Sequence, residues 1–137
     1  ESKVKNLLVV QADQIERDAI VDLLSGDDVS ITAVGKGVAA LEALEKQRFD
    51  CIVLDLALPD INGWELIKQI QQRVRSHQTQ GLMFLPIIVY TDKELTQQET
   101  SALKQAIASI IIKDEQAIAR LLDQTTLYLH RSKANLD

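Results

Sequence analysis

Three apolar runs in this chain each stop at a polar residue able to take part in group transfer. Cys51-Ile-Val-Leu54 ends at the carboxylate of Asp55, Pro86-Ile-Ile-Val-Tyr90 at the hydroxyl of Thr91, and Ile110-Ile-Ile112 at the ammonium of Lys113. An earlier run, Asn6-Leu-Leu-Val-Val10, gives way to Gln11, Ala12 and Asp13. If these runs are neighbouring strands, the residues that end them meet at one edge. A carboxylate, a hydroxyl and an ammonium in one crevice suit phosphoryl chemistry, with Asp55 as nucleophile and Thr91 and Lys113 holding the transferred oxygens. Each residue alone has a plainer reading: an Asp at a strand end caps a turn, a Thr fills a strand, and a Lys tip is solvated. The joint pattern favours a shared site, because charges that follow buried strands need partners.

The elements that must position these groups follow from periodicity. The runs Asn6–Val10, Cys51–Leu54, Pro86–Thr91 and Ser109–Lys113 lack polar alternation over most of their length, which suits strands covered on both faces; Val29–Val34 alternates, as a strand near an edge does. Between them, Ile15, Ala19, Leu23 and Leu24 recur at helical spacing, as do Val38, Leu41 and Leu44, then Leu66, Ile67, Ile70 and Val74. Leu58-Pro59 followed by Asp60, Asn62 and Gly63 is turn chemistry, with Asn and Gly tolerating φ > 0. Thr96 and Glu99 form a capping box ahead of Ala102, Leu103, Ala106 and Ile107, and a last helix carries Ile118, Leu121, Leu122, Thr125 and Leu129. Five alternations with short connections predict an α/β fold: a five-stranded parallel sheet in the order 2-1-3-4-5, with helices on both faces. In such sheets ligands bind beyond the carboxyl ends of the strands, where Asp55, Thr91 and Lys113 fall.

Size and charge narrow the field. The 137 residues, 46% apolar, suit one globular domain over 1–137, and a net charge of −5 argues against sequence-independent nucleic-acid binding. A single cysteine, Cys51, makes no internal disulfide or Cys-rich metal site, so a reducing, cytoplasmic setting is expected and Cys51 reads as a buried strand residue. Leu82–Tyr90 is the longest apolar run and falls far short of the roughly 20 residues of a membrane span. The chain opens at Glu1 without a Met, which fits a piece of a longer polypeptide.

Over essentially its whole length the chain resembles a response-regulator receiver domain. The motifs that carry the likeness are Ile52-Val-Leu-Asp-Leu-Ala-Leu-Pro-Asp-Ile-Asn-Gly63, Pro86-Ile-Ile-Val-Tyr-Thr91 and Ile110-Ile-Ile-Lys113. The resemblance implies that Asp55 is the phosphoacceptor, taking a phosphoryl group from a phosphohistidine with Mg²⁺ bound. It matches Thr91 to the switch hydroxyl, Lys113 to the phosphate-contacting lysine, and the main-chain carbonyl of Ala57 to a metal ligand. It also implies a histidine kinase transmitter or a histidine phosphotransfer domain as partner. The segment Ala119–Arg131 is similar to receiver modules inside hybrid sensor kinases, which makes neighbouring domains of a longer chain further expected partners.

Three departures from the family pattern bear on function. Where such a domain carries two acidic residues after the first strand, this chain has Gln11 and Ala12. Mg²⁺ needs hard oxygen ligands in octahedral geometry, so its binding is expected to be weak or absent, and phosphorylation of Asp55 slow or absent. Asp13 reaches in only if the loop shifts; its plainer role is helix N-cap. Ile110 stands where the family shows an aromatic, and Tyr90 cannot replace it, because adjacent strand residues face opposite sides. Asp114 replaces the usual proline, so a rearranged loop is expected there. With one acid facing one amine, the Asp55–Lys113 site is expected to be charge-balanced without metal.

Two readings compete. One is a phosphorelay module accepting a phosphoryl group on Asp55; the other is an interaction module that kept the fold and abandoned phosphorylation, docking or forming a homodimer through its last helices. Leu127, Tyr128 and Leu129 exceed what one buried helix face needs, which hints at such a surface. No independent enzyme activity is expected: an aspartate-nucleophile phosphatase needs a second Asp where Ala57 stands. Gln11-Ala-Asp-Gln14 lacks the Gly-rich turn of a dinucleotide site, and Gly35-Lys-Gly37 is a turn. His77 and His130 read as surface residues.

Overall fold

The structure, a computed structural model, describes residues 4–76, 85–91, 96–98, 101, 109–114 and 116–129, with the side chains at 74–76 and 109 left aside. Five strands form one parallel sheet: β1 (Lys5–Val10), β2 (Val29–Val34), β3 (Cys51–Leu54), β4 (Ile87–Thr91) and β5 (Ser109–Ile112), in the order β2-β1-β3-β4-β5. The expected topology is the observed one. Four helices are described: α1 (Gln14–Leu24), α2 (Gly37–Lys46), α3 (Gly63–Ser76) and α4 (Ala117–Leu129). Of the helix expected after Thr96, Gln97, Gln98 and Ser101 are helical; Glu99 and its apolar positions lie outside the described residues.

Strand periodicity builds two cores. Leu8 and Val10 of β1 point with Ile52 and Leu54 of β3 to one face, where they meet Ala40 of α2 and Leu66, Ile67 and Ile70 of α3. Their neighbours Leu7, Val9, Cys51 and Val53 point the other way, against Ile20 and Leu24 of α1 and Ala117, Leu121 and Leu129 of α4. Cys51 is wholly buried, and burial pushes its thiol up to about 12, so it is an inert core residue.

Three helices, α1, α2 and α4, leave part of the expected face exposed. Ile15 is 80% exposed and Ala19 is exposed, while Ile20 and Leu24 make the inward face of α1. On α4 the buried positions are Ala117, Leu121, Thr125 and Leu129, four residues apart, and Ile118 and Leu122 lie in an adjacent, exposed stripe. Val38 of α2 is likewise exposed. Of the three residues read as a surface on the last helix, Leu127 is exposed, Tyr128 is half-buried and Leu129 is core. No helix among the described residues is long and apolar enough to cross a membrane.

Loop carboxylates and amides set the helix starts. Asn62 Oδ1 accepts from Trp64 N at 2.8 Å and opens α3, and Asp13 Oδ2 accepts from Glu16 N at 3.2 Å and opens α1. Asp60, on the loop after β3, reaches across to α2: its two oxygens accept from Gly37 N at 2.9 Å and Val38 N at 3.0 Å. Those backbone hydrogen bonds hold the Asp60 carboxyl below its ordinary value of 3.8. A depressed carboxylate contributes stability that is present above its unfolded value and is lost as pH falls through the folded one. Asp60→Asn is therefore expected to reduce stability at neutral pH and to flatten the acid limb below about pH 4, measured by urea unfolding across pH.

Candidate functional site

The parallel register brings the strand ends together. Val10 pairs with Leu54 and Thr91 with Ile112, and the ladder continues one residue beyond the strands. Gln11 N donates to Val34 O at 3.0 Å, Asp55 N to Val10 O at 3.0 Å, and Lys113 N to Thr91 O at 2.8 Å. These bonds fix the backbones of the residues that the sequence singled out, so Asp55, Thr91 and Lys113 share one edge. Asp55 is only 4% exposed and Thr91 is fully buried.

Lys113 Nζ donates to Asp55 Oδ2 at 2.8 Å, and Asp55 Oδ1 accepts from Ala57 N at 3.1 Å. A buried carboxylate is thus held at both oxygens, one by an ammonium and one by the main chain. Lys113 Nζ also lies 5.2 Å from the Tyr90 ring centre, on the face opposite Val89, so Tyr90 supports the lysine and does not stand in for Ile110.

Sequence reasoning missed one participant. Glu16, in the first turn of α1, accepts from Lys113 Nζ through Oε1 at 2.5 Å. The expected balance of one acid and one amine is corrected to two carboxylates on one ammonium. The signal was present in the sequence, since Asp13 and Glu16 have capping-box spacing, which places a glutamate at the helix start beside the strand ends. Burial alone would lower the Lys113 pKa, but its hydrogen bonds to Asp55 and Glu16 and their charges outweigh this and raise it above 10.5. On Tyr90 burial acts the other way and raises the phenol pKa, partly offset by the Lys113 charge.

The two positions that depart from the acidic pattern are engaged otherwise. Gln11 is buried, and its Oε1 accepts from Asp13 N at 3.4 Å. Ala12 is exposed and offers no side-chain donor. Asp13 is spent on the start of α1, as its plainer reading had it. Arg17 Nη1 donates to the carbonyl of Gln11 at 2.8 Å and to that of Ala12 at 3.4 Å, which ties the loop to α1. Beyond Lys113, Asp114 caps α4: Oδ1 accepts from Gln116 N at 2.9 Å, its carbonyl from Ala117 N at 3.2 Å, and Oδ2 pairs with Arg120 at 3.2 Å.

An open parallel sheet in this order, with an acid, a hydroxyl residue and a lysine at its carboxyl edge, is the arrangement of a receiver module. The family model described as the response regulator receiver domain matches residues 7–125, and the chain belongs to that family, the receiver domains of two-component signalling. Among curated relatives, the response regulator ArlR of Staphylococcus haemolyticus is 31% identical over 119 residues, 85% of this chain and 50% of that protein. The sensory/regulatory protein RpfC of Xanthomonas campestris is 26% identical over 124 residues, 89% of this chain and 16% of that protein. The chain thus spans half or less of the length of these two relatives. Among solved structures, a CheY-like receiver domain protein from Methanospirillum hungatei superposes with a TM-score of 0.79 at 18% identity, covering 97% of this chain and 99% of that one. TrrA of Thermotoga maritima, solved in complex with Mg²⁺ and BeF, gives 0.75 at 21% identity, covering 92% and 100%.

Proposed function

We propose that residues 1–137 form one cytoplasmic receiver module of a phosphorelay, within a longer chain such as a hybrid sensor kinase, with Asp55 as phosphoacceptor and weakened metal dependence. The observation that carries this reading is the buried Asp55 carboxylate held 2.8 Å from the Lys113 ammonium at the sheet's carboxyl edge. The donor would be a phosphohistidine on a kinase transmitter or phosphotransfer domain. An Asp55 oxygen forms the new P–O bond as the P–N bond breaks, and the imidazole leaves with the electron pair. Lys113 and Thr91 hold the oxygens of the transferred group.

The donor set does not fit Mg²⁺. Gln11 and Ala12 supply no carboxylate, Asp13 caps a helix, and both Asp55 oxygens are engaged. Among the described residues no three His, Cys, Asp or Glu side chains come together as cation ligands. An octahedral ion would have to rely on Asp55, the Ala57 carbonyl and water. That same set favours the second reading, an interaction module indifferent to phosphorylation.

Acetyl phosphate labelling followed by intact mass separates the two. The phosphorelay reading expects slow addition of one phosphoryl group, lost in Asp55→Asn and nearly unchanged by millimolar Mg²⁺. Steep acceleration by Mg²⁺ would contradict the weakened metal dependence. No labelling at all would leave the interaction module.

A further inference from the structure

Among the described residues Asp55 Oδ2 and Glu16 Oε1 take two of the three Lys113 ammonium protons, and the Tyr90 ring centre lies 5.2 Å from the nitrogen. An anion entering the pocket competes with these two carboxylates for the ammonium. Asp55 cannot yield, since it is buried on the strand edge with its second oxygen tied to Ala57 N. Glu16 can, because its side chain is 40% exposed against 5% for Asp55, and rotating it into water breaks one hydrogen bond. Its backbone is meanwhile fixed by the Asp13 cap.

We infer that Glu16 is a built-in competitor for Lys113: its carboxylate holds a place that an oxygen of a phosphoryl group on Asp55, or of free phosphate, would take, so the pocket accepts such an anion more tightly once the Glu16 side chain lets go of Lys113. This rests on the phosphoacceptor reading only where the anion is bound to Asp55. Glu16 is a positioning residue and touches no reacting atom. A charge-assisted hydrogen bond is about twice as strong as a neutral one, so neutralising Glu16 shifts the competition by about tenfold.

The test uses the 137-residue chain as wild type, Glu16→Gln and Asp18→Asn, the last removing an exposed charge from the same helix. Proton exchange of the Lys113 ammonium, followed by NMR, is expected to quicken in Glu16→Gln alone. Titration with orthophosphate, followed by the same signal, is expected to give about tenfold tighter binding in that variant. Acetyl phosphate should label it about tenfold faster, an Asp55 oxygen bonding phosphorus as acetate leaves with the electron pair. Equal orthophosphate affinity in wild type and Glu16→Gln overturns the inference, as does an equal gain in Asp18→Asn. Tighter orthophosphate binding with no labelling of either chain leaves Glu16 as competitor and removes Asp55 as acceptor.

Discussion

Lys113→Met is expected to lower the unfolding free energy by about 3 kcal/mol at neutral pH, because it strands a buried carboxylate without its counter-charge. Asp55 is 4% exposed, and among the described residues its one remaining side-chain partner would be the Ala57 N–H. The reverse change is milder. In Asp55→Asn the side-chain oxygen still accepts from Ala57, and Lys113 keeps Glu16, so the expected loss is about 1 kcal/mol. In the double variant the loss should be about 2 kcal/mol and not the sum of about 4, a coupling on the order of 2 kcal/mol in urea unfolding. A Lys113→Met chain as stable as wild type would show that the ammonium does not compensate Asp55. The pH sign follows from the raised Lys113 pKa: its contribution is complete below about 10.5 and is lost as pH rises through the folded value. On the alkaline side the difference between the two proteins should therefore narrow as pH rises through that value.

A second large effect is expected at Gly63. A Cβ there would lie 2.6 Å from Leu56 Cα and 2.8 Å from Leu56 O, and main chain cannot swing aside as a side-chain tip does. Gly63→Ala should cost about 3 kcal/mol, at the upper end for overpacking, and displace the loop that follows Asp55. Gly26→Ala serves as control, since its Cβ would meet only Asp28 Oδ1 at 3.4 Å and should change stability by less than about 0.5 kcal/mol. If the two alanine variants unfold together, the close approach at Gly63 is not what requires glycine. This also corrects the turn reading, because the φ of Gly63 lies outside the left-handed region and space, not backbone freedom, fixes the residue.

The strands were legible for a simple reason. Residues of β3 and β4 are buried on both faces, so an unbroken apolar run is the only pattern they can carry. Their order followed from alternation with helices, and the meeting of Asp55, Thr91 and Lys113 followed from the order. Helix faces were less legible, since Ile118 and Leu122 form an apolar stripe of the same period as Leu121, Thr125 and Leu129. Periodicity does not say which stripe meets the sheet. Glu16 escaped because a first-turn glutamate already has a local explanation in the helix dipole, and its long side chain made a contact 97 positions away. Asp60 escaped likewise: its residue type announced a turn, while its oxygens serve a helix on another part of the chain.

Cys51 has a practical consequence. The chain's only sulfhydryl is sealed between sheet and helices and is not ionised at working pH, so alkylating reagents should pass it by in the folded protein. A cysteine installed at outward-facing Ile15 or Leu127 would then take a fluorophore or spin label at one site, with no need to engineer away the native thiol.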